Sequence, residues 1–112
     1  YAINPWMAPD AWARDRAGWQ AAARRSWEAL RQALVEEAGA TVHVVPAEPE
    51  LPDLVFPANA AVVLDGHALL GRFRHPERRP EEAKFLAAFE RLRERGVLRS
   101  VAQLPEGVHQ EG

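Results

Sequence analysis

The chain has 112 residues, 47% hydrophobic and 27% charged, the composition of one small globular domain rather than a disordered tail, a collagen-like fibre or a low-complexity tract. Fourteen Lys and Arg against 16 Asp and Glu give a net charge of −2, so no global basic field points to nucleic acid. Cysteine is absent, which excludes a disulfide scaffold, a thiolate metal site or a cysteine nucleophile among these residues.

In chain order, Tyr1-Ala-Ile-Asn-Pro-Trp-Met7 reads as the end of a strand entering a loop, because residues before proline avoid the helical region. Asp10 is the expected N-cap of a long amphipathic helix reaching Ala38, with Trp12, Trp19, Trp27, Leu30 and Leu34 as its packing face and Gly18 as the point where it kinks or divides. Gly39 sits where a left-handed C-terminal cap is usual. Thr41-Val-His-Val-Val45 predicts a buried strand, and the proline-rich run 46–52 a rigid surface loop. Ala60-Ala-Val-Val-Leu64, Asp65-Gly66 and His67-Ala-Leu-Leu70 predict a hairpin, since Asp-Gly suits a type I′ turn. Pro80 followed by Glu81 and Glu82 marks a helix start, with Phe85, Phe89 and Leu92 as its apolar face and Gly96 at its end. Val97 to Leu104 predicts a further strand. The fold class is α/β, built of β-β-α-β units with mixed sheets.

Four polar residues fall at predicted junctions of strand and loop: Asn4, Asp53, Asn59 and Glu111. Such junctions commonly supply binding and catalytic groups in α/β proteins, although Asx residues there also serve simply to cap turns. His43, His67, His75 and His109 lack metal-ligand spacing, and no metal or cofactor is expected. No glycine-rich phosphate loop and no Gly-x-Ser-x-Gly elbow occurs. The cluster Arg72, Arg74, Arg78 and Arg79 suits a carboxylate or phosphate, or equally a solvated basic loop. No apolar run approaches the roughly 18–20 residues of a membrane span and no secretory pattern is present, so neither a membrane nor a nucleic-acid partner is expected, and the expected location is cytoplasmic.

Tyr1-Ala-Ile-Asn-Pro-Trp-Met7, Leu51-Pro-Asp-Leu-Val-Phe-Pro-Ala-Asn-Ala60, Arg72-Phe-Arg-His-Pro-Glu-Arg78 with Glu81-Glu82, and Leu104-Pro-Glu-Gly107 with Glu111-Gly112 follow one another in an order that resembles the N-terminal part of the guanidino-group-modifying (pentein) superfamily. That superfamily includes arginine deiminases, dimethylarginine dimethylaminohydrolases, amidinotransferases and arginine dihydrolases. The resemblance implies a five-bladed α/β propeller with its active site on the axis, of which residues 1–112 form a single domain of about two modules. It also implies a guanidino substrate, arginine or an N-substituted arginine, attacked by a cysteine thiolate with a histidine as general acid and base.

Carried over residue by residue, the resemblance makes Glu111 the catalytic, guanidinium-binding glutamate, and Asn59 the occupant of the position where deiminases carry a guanidinium-binding aspartate. Phe56 lines the pocket, Asp53 lies at its rim, and Asn4 matches an asparagine of dihydrolase-like members. Arg72 and Arg78 are candidates for the substrate α-carboxylate. Since the chain begins inside an apolar motif and lacks the superfamily's histidine and cysteine, it is expected to be a fragment, inactive alone. The alternative is a non-catalytic module derived from the same fold, which self-associates through open sheet edges.

Overall fold

The computed structural model describes residues 7–110, and the chain parts into two compact units, 1–44 and 45–112. In the first unit the expected single helix is two: α1, Pro9–Arg14, and α2, Arg16–Gln32, continued by one π-type turn over Ala33–Glu37. The division falls at Asp15, three residues before Gly18, because the Asp15 carboxylate accepts a hydrogen bond of 3.0 Å from the Gly18 amide and so caps α2. Asp10 is not the N-cap; Ala8 holds that position and Asp10 lies in the first turn, where its charge suits the helix dipole. Gly39 ends the segment at φ 65°, as the sequence predicts, with the Ala40 amide donating to the Leu34 carbonyl at 2.8 Å. Trp12, Trp19 and Trp27 are not core residues: all three remain exposed, and Arg31 lies 6.0 Å from the Trp27 ring centre.

Thr41 to Val45 forms no strand. A β-branched run favours extended backbone, but a strand exists only through hydrogen bonds to a neighbour, and none of the described strands pairs with this run.

The second unit opens with two single-turn 3-10 helices, Pro52–Val55 and Pro57–Asn59, each started by a proline. The hairpin follows as predicted, with β1, Ala61–Leu64, antiparallel to β2, His67–Leu70. Asp65 and Gly66 have φ of 49° and 80°, the two positive values a type I′ turn requires. Gly66→Ala is expected to lower stability by about 1–2 kcal/mol, read from the urea midpoint, because a Cβ is strained at that φ.

Helix α3, Arg79–Glu94, carries the chain across to β3, Ser100–Gln103, which runs parallel to β2. The sheet is therefore mixed, in the order β1-β2-β3. β3 is shorter than the predicted 97–104 because Val97 is spent closing α3: its amide donates to the Leu92 carbonyl, and Gly96 takes a φ of 74°. The core of this unit is Ala60, Leu70, Phe73 and Phe85, with Leu54, Leu86, Phe89 and Val101 packed against it. The alternation of β2 aims Ala68 and Leu70 inward and leaves His67 and Leu69 outward. No helix among the described residues is long and apolar enough to cross a membrane.

Candidate functional site

Three candidates from separate segments meet beside this core. Asp53 comes from the first 3-10 turn, Asn59 ends the second, and Arg78 immediately precedes α3. Arg78 is the hub. Its Nη1 donates to Asn59 Oδ1 at 3.3 Å, its Nη2 donates to the Asp53 carbonyl at 3.3 Å, and its Nε lies 3.9 Å from Asp53 Oδ2. The same Nε–Nη2 edge is gripped by Glu81, with Nη2 to Oε2 at 2.8 Å and Nε to Oε1 at 3.1 Å. Below the fork lies the Phe73 ring, 4.1 Å from the guanidinium carbon. Asp53, Arg78 and Glu81 are all buried, and no buried side-chain polar atom among the described residues lacks a partner.

This arrangement suits polar recognition. A planar fork held bidentately on one edge and stacked on a ring has little freedom to turn, so its remaining corner points in a fixed direction. Desolvation is costly for each charge separately, and complete pairing keeps that cost tolerable.

Gly71 sets the spacing on the far side of Asn59. A Cβ there would lie 2.9 Å from the Gln110 carbonyl oxygen and 3.1 Å from that of Asn59. The absent side chain lets the 104–110 segment run close beside β2, joined by the Leu104 amide to the Leu70 carbonyl and the Gln110 amide to the Arg72 carbonyl. Gly71→Ala is expected to cost about 1–3 kcal/mol, because the obstructing atoms are backbone and cannot rotate away. Chemical denaturation measures this, and a variant as stable as the parent contradicts the close approach.

The other candidates lie elsewhere. Phe56 is half exposed and is not part of the Arg78 cluster. Arg72 donates from Nε to the Leu104 carbonyl, and its Nη1 is 3.4 Å from Glu82. With Arg79, Glu106 and His109 it lines an open cleft of about 360 Å³. Asn4 and Glu111 lie outside the described residues. Glu81, by contrast, is read from sequence only as first-turn acid, yet it is fully buried against Arg78. Its spacing of three from an arginine was the available signal, since residues i and i+3 face each other on a helix. Among the described residues no group of three or more His, Asp or Glu is placed to hold a metal ion.

No protein-family model matches the chain. Over its whole length the chain is 40% identical to the bifunctional arginine dihydrolase/ornithine cyclodeaminase AgrE of Nostoc sp., of which it covers 14%. Over 76% of its length it is 34% identical to the N(G),N(G)-dimethylarginine dimethylaminohydrolase of Mycobacterium tuberculosis, covering 26% of that protein. These relatives are guanidino-group-modifying (pentein) enzymes, hydrolases of arginine metabolism, and the chain is similar to their N-terminal part.

Within that class its fold matches the N-terminal domain of ArgZ, a cyanobacterial arginine dihydrolase solved as a cysteine-to-serine variant bound to substrate. The match has a TM-score of 0.69 at 34% identity, over all of this chain and 37% of that domain. The chain thus spans well under half the length of the relatives it matches.

Proposed function

We propose that this chain is the substrate-holding N-terminal portion of a guanidino-group hydrolase acting on arginine or an N-substituted arginine. The single observation that carries this reading is the convergence of Asp53, Asn59 and Arg78, from three separate segments, on one buried cluster. The substrate-bound state of the ArgZ domain supports the choice of ligand class. In this reading residues 1–112 form about two modules of a propeller, completed by further modules that carry the nucleophile, because these 112 residues contain no cysteine.

The chemistry follows from charge and shape. A substrate guanidinium is a planar cation rich in N–H donors, so it needs acceptors; Asn59 offers the second lone pair of the amide oxygen that accepts from Arg78, and the buried Asp53 carboxylate adds negative charge behind it. The α-carboxylate at the other end needs a cation, which Arg78 and Arg72 supply. Phe56 covers the methylene stem. Asn4 and Glu111 complete the acceptor set in this scheme, with Glu111 orienting the guanidinium for attack by a cysteine thiolate. A neutral amide at Asn59, in place of a carboxylate, holds the leaving group less tightly and admits water for a second hydrolysis, which favours the dihydrolase outcome.

The test is product analysis of the complete protein that carries this segment, supplied with L-arginine and with methylated arginine. Ornithine with ammonia is the expected result, and methylamine release would place the protein with the dimethylargininases instead. Turnover of neither substrate would contradict the reading.

A further inference from the structure

Among the glycines of the described residues, Gly39, Gly66, Gly96 and Gly107 have positive φ, and Gly18 faces only the side chain of Asp15. Gly71 is different. It is buried, and its φ lies outside the left-handed region, so its backbone does not call for glycine. What excludes a side chain is space. A Cβ at this position would lie 2.9 Å from the Gln110 carbonyl oxygen, 3.1 Å from that of Asn59 and 3.3 Å from Gln110 Oε1. Two of these three atoms are main chain, from segments far apart in the sequence. Hydrogen bonds fix both segments: the Gly71 amide donates to the Ala60 carbonyl, next to Asn59, at 2.8 Å, and the Gln110 amide donates to the Arg72 carbonyl at 3.2 Å.

We infer that Gly71 is a positioning residue for the guanidinium site, setting the separation between Asn59 and the chain that leads into Glu111. The inference rests on the proposed function and deepens it, since it names what spaces the two acceptors. The Gln110 carbonyl carbon is bonded to the Glu111 nitrogen, so a displacement of one carries the other. A methyl group at position 71 needs its neighbours at ordinary contact, about 3.4 Å, so one segment has to move by about half an ångström. The Asn59 side is the stiffer. Its amide oxygen accepts from Arg78, which Glu81 holds in turn, and the chain beyond it enters β1. The other segment is held to its neighbours by the Leu104 and Gln110 amides and turns at Gly107, so it is the one that yields. Asn59 then keeps its grip on the ligand while Glu111 is carried away. In the proposed function Glu111 orients the guanidinium for attack, so the loss falls on kcat rather than on binding.

The experiment measures kcat and KM for L-arginine, or for methylated arginine if the parent consumes that instead, in the complete protein and in its Gly71→Ala and Gly66→Ala variants, with urea midpoints for all three. Gly66 lies in the hairpin turn at the opposite end of β2, so its alanine variant lowers stability without touching either acceptor segment. The expected result for Gly71→Ala is a fall of at least about tenfold in kcat with KM changed less than about threefold. Gly66→Ala is expected to keep both constants within about twofold of the parent, although its urea midpoint falls too. Equal kinetic losses in the two variants would show a merely structural role and overturn the inference; so would a smaller fall in kcat for Gly71→Ala, or a loss confined to KM. Should Gly71→Ala fail to fold, Gln110→Pro loosens the same segment by removing the amide that donates to Arg72. It is expected to lower kcat by about threefold or more, and a smaller effect overturns the inference. A parent that consumes arginine while Gly71→Ala keeps its kcat sinks the role of Gly71 alone. A parent that consumes neither arginine nor methylated arginine sinks the functional reading as well.

Discussion

Arg78→Ala is expected to destabilise the second unit by about 3–5 kcal/mol, because it leaves the carboxylates of Glu81 and Asp53 buried without their shared cation. The cost comes from stranding charge, rather than from the loss of one favourable contact. A double variant, Arg78→Met with Glu81→Leu, removes that pair together and is expected to recover part of the loss, the remainder being the Asp53 carboxylate left buried without its cation. Arg93→Ala is the control. Arg93 pairs with Glu90 at 2.6 Å, but about half of its side chain is in water, and its removal is expected to change stability by no more than about 0.5 kcal/mol. Urea denaturation of the three variants settles the matter: an Arg78→Ala protein no less stable than Arg93→Ala contradicts the buried network.

Phe73→Ala is the second large effect, about 3–5 kcal/mol by analogy with other buried phenylalanines. Phe73 is 1% exposed, and its ring packs against Phe85 with centroids 6.4 Å apart while its face supports the Arg78 guanidinium. One side chain thus joins the core to the polar cluster. Phe73→Leu separates the two contributions: it retains most of the volume and loses the aromatic face, so a cost of about 1–2 kcal/mol is expected. If the leucine variant were as damaging as the alanine variant, the ring's role as a cation platform would outweigh its packing; if it cost nothing, that platform would be unimportant. Both are read from denaturant midpoints at constant m.

The elements legible in the sequence are those whose signals are local. Asp65-Gly66 marks the hairpin because positive φ at two successive residues restricts which residues fit, and Pro80 with two glutamates marks the start of α3 because the first turn needs neither the missing amide nor positive charge. Thr41 to Val45 misleads, since β propensity states how well a residue suits a pleated surface and says nothing of whether a partner strand is present. Asp15 displaces the helix break from Gly18 because a side-chain cap outweighs a flexible backbone.

At the site, Asp53, Asn59 and Arg78 are visible as polar residues at junctions. Their meeting is not, because it depends on α3 and the 3-10 turns being brought together around Phe73 and Phe85. Glu81 is the instructive case: a glutamate in a first turn is ordinarily solvated, and only the packing of the second unit shows that this one faces inward. Arg72 divides from Arg78 for the same reason. Both belong to one basic run, yet Arg72 is drawn to the Leu104 carbonyl and Glu82 while Arg78 turns to Asn59.

The central claim is that Asn59, fixed by Arg78, holds the guanidino group of an arginine-like ligand. Isothermal titration of L-arginine into the complete protein with its nucleophilic cysteine replaced by serine, with and without Asn59→Ala, tests it most directly. Losing a hydrogen bond to a charged group removes about 1.5–3 kcal/mol, so the variant, titrated at a temperature where it remains folded, is predicted to bind arginine at least tenfold more weakly. Equal affinities for the two proteins would contradict the account.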